Sequence, residues 1–289
     1  MQQLPEDIRG VFAYLAEAFV PFGKYEAEAI ARALIEDGLQ LPNARSPKPF
    51  PFELWPRLLQ MQEEVLQGRP VAYVCGKTWF YGLPIRCDER ALIPRPETEE
   101  MVNAILEDFP QQAFPDLKVL DIGTGTGCIA LALKSRRPDW EITAVDVSKA
   151  ALALARENAN VLNLSINFVQ DDLLRPDFLS EQGAFDLIVS NPPYIPPSEA
   201  ALMDESVRRH EPSLALYAPE ENPLLFYQHI LQFCNRGGLR RNAYLYVEIN
   251  EFRHKELLSL FKKTAPSKGV KAHKDMQGKW RWVCLVFSV

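Results

Sequence analysis

Lys118-Val119-Leu120-Asp121-Ile122-Gly123-Thr124-Gly125-Thr126-Gly127 is a short apolar run that ends in three alternating glycines. Such a run reads as a buried strand, Lys118 to Ile122, turning into a helix over Gly127 to Ser135. The glycines let the backbone turn tightly and let a ligand lie against it, and the carboxyl ends of strands are where open α/β sheets bind ligands. Nineteen residues after Gly127, Asp146 closes Ala144-Val145-Asp146. An acidic side chain there can accept both ribose hydroxyls of an adenosine. A nicotinamide dinucleotide site is the obvious competitor, and a tight structural turn the bland one. The third glycine of the G-x-G-x-x-G fingerprint falls on Cys128, however, and the spacing is G-x-G-x-G with Asp121 two residues ahead. That tilts the reading toward S-adenosylmethionine.

Outward from this stretch the chain alternates. A helix is predicted over Glu97 to Phe109, a strand over Glu141 to Asp146 and a helix over Lys149 to Asn160. Strands follow at Ile166 to Gln170 and Phe185 to Ser190, then a loop of about 30 residues. Beyond it come a helix at Leu224 to Phe233, a strand at Tyr244 to Ile249, a helix at Phe252 to Phe261 and strands at Lys271 to Lys274 and Trp280 to Phe287. Alternation at this spacing specifies a parallel α/β sheet, with the Gly278 turn making the last pair an antiparallel hairpin. Upstream, Ile8, Val11, Phe12, Leu15 and Phe19 lay an apolar stripe on one helix, and Leu54, Leu58, Met61 and Val65 on another. Prolines 42, 47, 49 and 51 mark an extended connector between them, and Pro56 sits in the first turn of the next helix. Val71 to Cys75, Thr78 to Tyr81 and Leu83 to Arg86 are β-prone runs punctuated by Gly76 and Gly82, as in a hairpin joining two domains. The expected division is a helical domain over 1–70, a hairpin connector over 71–94 and a ligand-binding domain over 95–289.

Composition narrows the function classes. The 289 residues are 47% hydrophobic and 24% charged, the profile of a globular protein rather than a coil or a disordered chain. Thirty-two basic residues against 38 acidic ones leave a net charge of −6, which disfavours a dedicated nucleic-acid or anionic-membrane partner. Five scattered cysteines and four isolated histidines imply reduced thiols and no metal site. Met1-Gln2-Gln3-Leu4-Pro5-Glu6-Asp7 has neither a basic nor an apolar leader pattern, so a cytoplasmic protein without membrane contact is expected.

Two further stretches carry chemistry. In Gln170-Asp171-Asp172-Leu173, Asp172 can accept an adenine amino group while Leu173 covers the ring, although a solvated acidic turn would look the same. Asn191-Pro192-Pro193-Tyr194 follows directly on the strand Phe185 to Ser190. An amide or exocyclic amine attacks an electrophilic methyl only if its hydrogens are held and its nitrogen can pyramidalise. The Asn191 side-chain oxygen and the Pro192 carbonyl can accept those two N–H bonds, the prolines stiffen the loop, and Tyr194 offers a flat face for a planar group. Asn191, Pro192 and Tyr194 are thus the catalytic candidates, with Pro193 beside them on the substrate. No strong general base is needed, because a sulfonium leaving group makes the transfer favourable.

The strings Val71 to Gly76, Phe80-Tyr81-Gly82, Leu92-Ile93-Pro94-Arg95-Pro96-Glu97-Thr98-Glu99, Asp121 to Gly127 and Ser190 to Ile195 resemble the release-factor glutamine methyltransferases, within the class I S-adenosylmethionine-dependent fold. Glu211-Pro212, Ala215-Leu216 and Tyr246-Val247-Glu248-Ile249 extend the resemblance, which covers nearly all of residues 65 to 289. It implies a Rossmann-like, mostly parallel seven-stranded sheet with an antiparallel last strand, and a small all-helical amino-terminal domain joined by a β-hairpin. It implies S-adenosylmethionine contacts at Gly123, Thr124, Gly125, Thr126, Gly127, Asp146, Asp172, Leu173 and Asn191, with no metal. It further implies that Asn191 to Tyr194 hold the glutamine of the Gly-Gly-Gln loop of class I peptide-chain release factors, methylated on its side-chain amide nitrogen by a monomeric enzyme whose amino-terminal helices help dock that partner. A glutamine of a ribosomal protein is an alternative substrate. A DNA or RNA adenine is another; it calls for a basic recognition region, whereas residues 1 to 70 carry Glu6, Asp7, Glu17, Glu26, Glu28, Glu36, Asp37, Glu53, Glu63 and Glu64. Two departures stand out: Leu216 to Pro223 replaces a stretch rich in glycine and aspartate, and Asn250 replaces the glycine after the Glu-Ile string.

Overall fold

The computed structural model describes residues 4–111, 113–264 and 267–287. Met1 to Gln3 of the amino-terminal stretch, and the outer ends of the ranges 1–70 and 95–289, lie outside them. By its internal packing the chain divides into two units. The first runs to Thr78 and includes Arg86–Glu89 and Asp204–His210; the second holds Trp79–Ile85, Arg90–Met203 and the described residues from Glu211 onward.

The first unit is built on α1 (Ile8–Ala18), α2 (Lys24–Ala33) and α3 (Trp55–Leu66). Asp7 caps α1 by accepting from the Gly10 N–H at 2.6 Å, and Pro56 occupies the first turn of α3. The apolar stripes meet as expected: Ile8, Val11, Phe12 and Leu15 share a core with Leu58, Met61 and Val65. Val71–Cys75, expected as a β-prone run, is instead a short helix, α4. Its ends decide the matter. The Pro70 carbonyl accepts from Tyr73 and Val74, and Gly76 takes the left-handed conformation at φ 67° that closes a helix. One helical turn also sets Val71, Val74 and Cys75 against the helical core, which outweighs their β propensity. The hairpin itself is β1 (Lys77–Phe80) and β2 (Leu83–Arg86), turning on Tyr81 and Gly82, both at positive φ. Its residues are shared between the two units.

In chain order the remaining elements are α5 (Pro96–Asp108), β3 (Lys118–Ile122), α6 (Cys128–Arg136), β4 (Glu141–Asp146), α7 (Lys149–Leu162), β5 (Asn167–Gln170) and β6 (Phe185–Ser190). They are followed by α8 (Glu205–His210), α9 (Ser213–Leu216), α10 (Leu225–Phe233), β7 (Leu239–Glu248), α11 (His254–Thr264), β8 (Ser267–Lys274) and β9 (Trp280–Phe287). The strands form one sheet in the order β5-β4-β3-β6-β7-β9-β8, parallel throughout except that β9 runs antiparallel to both neighbours. This is the class I methyltransferase arrangement. Alternate residues of the central strands feed opposite faces: Leu120, Ile188 and Leu245 pack with α10 and α11, while Val119, Leu187 and Tyr246 pack with α5 and α6.

Several boundaries move, among them the start of β8, at Ser267 rather than the predicted Lys271. β7 begins at Leu239, earlier than the predicted Tyr244, because Phe185 pairs with Leu239 before an irregularity in the register. Asn242 lies at φ 61°, and the polar run Arg240-Arg241-Asn242 hides the strand from an apolar pattern. The predicted loop after Tyr194 contains a 3₁₀ segment at Pro197–Leu202 as well as α8 and α9. Its base is closed by backbone bonds between Ile195 and Leu216 and between Ala218 and Ile195.

Candidate active site

The ends of β3, β4 and β6 are adjacent, since Ile122 pairs with both Val145 and Ser190. The glycine loop, the Asp146 turn and the Asn191 loop therefore leave the sheet side by side. The loop after β3 is tied down by its own backbone. The Gly123 and Thr124 N–H groups both donate to the Val145 carbonyl, and Gly127 donates to the Thr124 carbonyl at 2.8 Å. Buried Asn158 on α7 donates to the Thr126 carbonyl at 2.9 Å, and the Ser190 hydroxyl donates to the Ile122 carbonyl at 2.8 Å.

The three glycines do different things. A Cβ added at Gly123 would meet nothing within 4 Å, and one at Gly125 only Ala91 Cβ at 3.9 Å, so the space over this backbone is open to a ligand. At Gly127 the same atom would lie 3.2 Å from Ala155 Cβ, and the backbone holds φ 83°. Gly127 thus serves close packing of α6 on α7. Asp146 turns one carboxylate oxygen to the Gly125 N–H at 2.9 Å and the other to the Ser148 N–H at 2.8 Å. Each oxygen keeps a further lone pair for a ribose hydroxyl. Burial raises the Asp146 carboxyl above its ordinary range, against the pull of those backbone N–H groups. Beneath the loop, Asp121 is fully buried and accepts from the Thr124 hydroxyl at 2.6 Å; desolvation pushes its carboxyl up to about 7.

A cleft of about 1140 Å³, open to solvent, is lined by Gly123 to Thr126, Asp146, Asp172, Leu173 and Asn191 to Pro193. The predicted site residues are thus brought together, with two exceptions. Gly127 lies behind the lining. Tyr194 also stands back from it: its ring packs against the hydrophobic core, and its hydroxyl donates to Glu248 Oε1 at 3.2 Å. Burial holds that phenol well above its usual range. Asp172 caps its own turn, accepting from the Leu174 N–H at 2.9 Å.

Further lining comes from residues to which sequence reasoning attached no role. Arg95 and the Ile93 N–H both bond to Glu211, at 2.5 and 3.1 Å, so the Arg-Pro-Glu string and the Glu-Pro string close one wall. Their carboxylate–guanidinium complementarity was the available signal. Phe178 and Phe226 also line the cleft, and nothing in their surroundings in the sequence distinguished them from core residues. Cys128 lies at the wall as well; burial pushes its thiol up to about 12, which makes it a poor nucleophile. The departures from the family pattern take structural parts. Glu220 accepts from both the N–H and the hydroxyl of Ser198, and Asn250 accepts from Phe252 N–H at 2.9 Å while its amide reaches Glu199 at 3.3 Å. Among the described residues no group of three His, Cys, Asp or Glu could hold a metal, and no helix is long and apolar enough to cross a membrane.

Residues 98–209 match the methyltransferase small domain family. A release factor glutamine methyltransferase of Flavobacterium psychrophilum is 40% identical over 80% of this chain and 78% of its own. That of Bacillus subtilis is 34% identical over 98% of both chains. The chain belongs to the release factor glutamine methyltransferases. Like the other release factor glutamine methyltransferases it is an S-adenosylmethionine-dependent enzyme, and the donor set around Gly123, Gly125 and Asp146 fits that cofactor. The fold extends beyond these glutamine methyltransferases: the hMettl16 catalytic domain, solved in complex with MAT2A 3′UTR hairpin 6, superposes with a TM-score of 0.55 at 19% identity over 96% of this chain and 92% of that one.

Proposed function

We propose that this enzyme methylates the side-chain amide nitrogen (N5) of the glutamine in the Gly-Gly-Gln loop of class I peptide-chain release factors. The observation that carries the reading is the placement of Asn191, Pro192 and Pro193 in the same cleft wall system as the open glycine backbone and Asp146. Relatives similar over most of the chain bear that activity in their names.

Bound S-adenosylmethionine supplies an electrophilic methyl on a sulfonium. Gly123 to Thr126 would give it a backbone to lie against, Asp146 would accept the ribose hydroxyls, and Asp172, Leu173 and Asn191 would complete its contacts. The Asn191 side-chain oxygen and the Pro192 carbonyl accept the two N–H bonds of the substrate amide. That draws electron density onto the nitrogen and aims its lone pair. Pro193 stiffens the turn, and Tyr194 braces it from the core side. Methyl transfer would leave S-adenosylhomocysteine as the product, with Asn191 and Pro192 holding the amide nitrogen while one of its protons is lost to solvent. On this reading the protein works as a monomer in the cytoplasm, without direct contact to nucleic acid, and the helices of residues 1–70 help receive the release factor.

Incubation with labelled S-adenosylmethionine and, separately, a class I release factor, its loop Gln→Ala form, a ribosomal-protein mixture and duplex DNA tests this. Label confined to the intact release factor is expected. Label in DNA, or label that persists in the Gln→Ala factor, sinks the proposal.

A further inference from the structure

Glu248, the last residue of β7, is buried, and its carboxylate receives two hydroxyls: Thr98 Oγ1 donates to Oε2 at 2.6 Å and the Tyr194 hydroxyl to Oε1 at 3.2 Å. Its backbone carbonyl accepts from the Tyr227 hydroxyl at 2.9 Å, which fixes the strand end. Thr98, in the first turn of α5, is also buried and stands between Glu248 and Asn191, whose Nδ2 donates to Thr98 Oγ1 at 3.5 Å. A hydroxyl has one hydrogen and two lone pairs. With that hydrogen committed to Glu248, Thr98 can only accept from Asn191. The Asn191 amide must then present its NH₂ to Thr98 and keep its oxygen for the cleft.

We propose that Glu248 is the positioning residue for the Asn191–Tyr194 turn, acting on Asn191 through Thr98 and on Tyr194 directly. The proposal rests on the reading that Asn191 holds a substrate amide. A carboxylate suits the task because both of its oxygens accept. A neutral glutamine would donate to one of the two hydroxyls. If that were Thr98, its hydrogen would turn to Asn191, the amide would flip, and an NH₂ would meet the substrate N–H.

The test compares wild type with Thr98→Val, Thr98→Ser and Glu248→Gln. Thr98→Val should lower kcat about tenfold while shifting cofactor affinity less than about twofold, and Thr98→Ser should recover wild-type turnover to within about twofold. Glu248→Gln should lose at least as much as Thr98→Val; if it does not fold, the threonine pair still decides. The Asn191 side-chain ¹⁵NH₂ resonance, read without substrate, should move in Thr98→Val and stay in Thr98→Ser. Thr98→Val turnover within about twofold of wild type, cofactor affinity falling in step with kcat, or an unmoved resonance each overturns the proposal. A wild type that leaves release factors unlabelled overturns the substrate reading instead, and the resonance still judges the relay.

Discussion

Two loops leave neighbouring strands of the same sheet, and they are held by opposite means. The loop after β3 is held at its backbone groups: glycines at positive φ, N–H groups on the Val145 carbonyl and the Asp146 carboxylate, and carbonyls gripped by Asn158 and Ser190. The loop after β6 is fixed by side chains from distant parts of the chain, Thr98 on α5 and Glu248 on β7. A cofactor common to a whole fold needs a surface that any backbone of the right curvature can make. A substrate amide needs one acceptor turned the right way, and rotation of a side-chain amide is governed only by what it touches. On the proposed reading, the difference predicts that binding and chemistry fail separately.

The sharpest break between the loops is Asn191→Ala. Turnover should fall about 10²–10³-fold, as for loss of a preorganised acceptor at a reacting group. Cofactor affinity by calorimetry should largely persist; equal losses in both would erase the contrast. The mirror experiment is Asp146→Ala, which should weaken cofactor binding about 10–100-fold, the worth of hydrogen bonds to a charged group. Its kcat at saturating cofactor should move much less, and a kcat loss matching that of Asn191→Ala would undo the assignment. Gly127→Ala asks whether that glycine packs rather than binds. Its Cβ would stand 3.2 Å from Ala155 in a left-handed backbone, so a stability loss of about 1–2 kcal/mol in denaturant unfolding is expected. An unchanged midpoint would mean that α6 and α7 have room to part.

A further effect concerns pH. Burial pushes the Asp121 carboxyl from 3.8 up to about 7. Between those values the unfolded chain has released this proton while the folded chain keeps it, so stability falls as pH rises and levels off above about pH 7. Buried Glu248 and Asp146, also raised, act in the same direction. Asp121→Asn should flatten part of that slope in unfolding curves collected across the range. A slope identical to wild type would show that Asp121 is already ionised in the fold.

The backbone-held half of the site was legible because its information is local. Gly123, Gly125, Gly127 and Asp146 announce themselves by spacing within one strand–helix–strand passage, and Asn191 to Tyr194 by composition at a strand end. Most strands were legible for the same reason. Where apolar alternation lapsed, at Arg240 to Asn242, the start of β7 was missed, and where local capping beat propensity, at Val71–Cys75, a helix was read as extended chain. Tyr194 was singled out from the sequence as a flat face toward a ligand, whereas in the fold its ring leans on the core and its hydroxyl on Glu248. Glu211 and Glu248 were visible only as members of strings. Their partners Arg95 and Thr98 lie more than a hundred residues away, and no local pattern encodes such a meeting.

The order of strands has a consequence for the nascent chain. β9 is inserted between β7 and β8, so β8 emerges from the ribosome before the strand that joins it to the sheet. Until residues Trp280–Phe287 arrive, β7, which carries Glu248, is the edge strand on this side of the sheet. Non-local closure of this kind comes late and slowly. Closure of this side of the sheet therefore waits on Trp280–Phe287, and a chain cut before Trp280 would carry the glycine loop without the strand that pairs with Glu248.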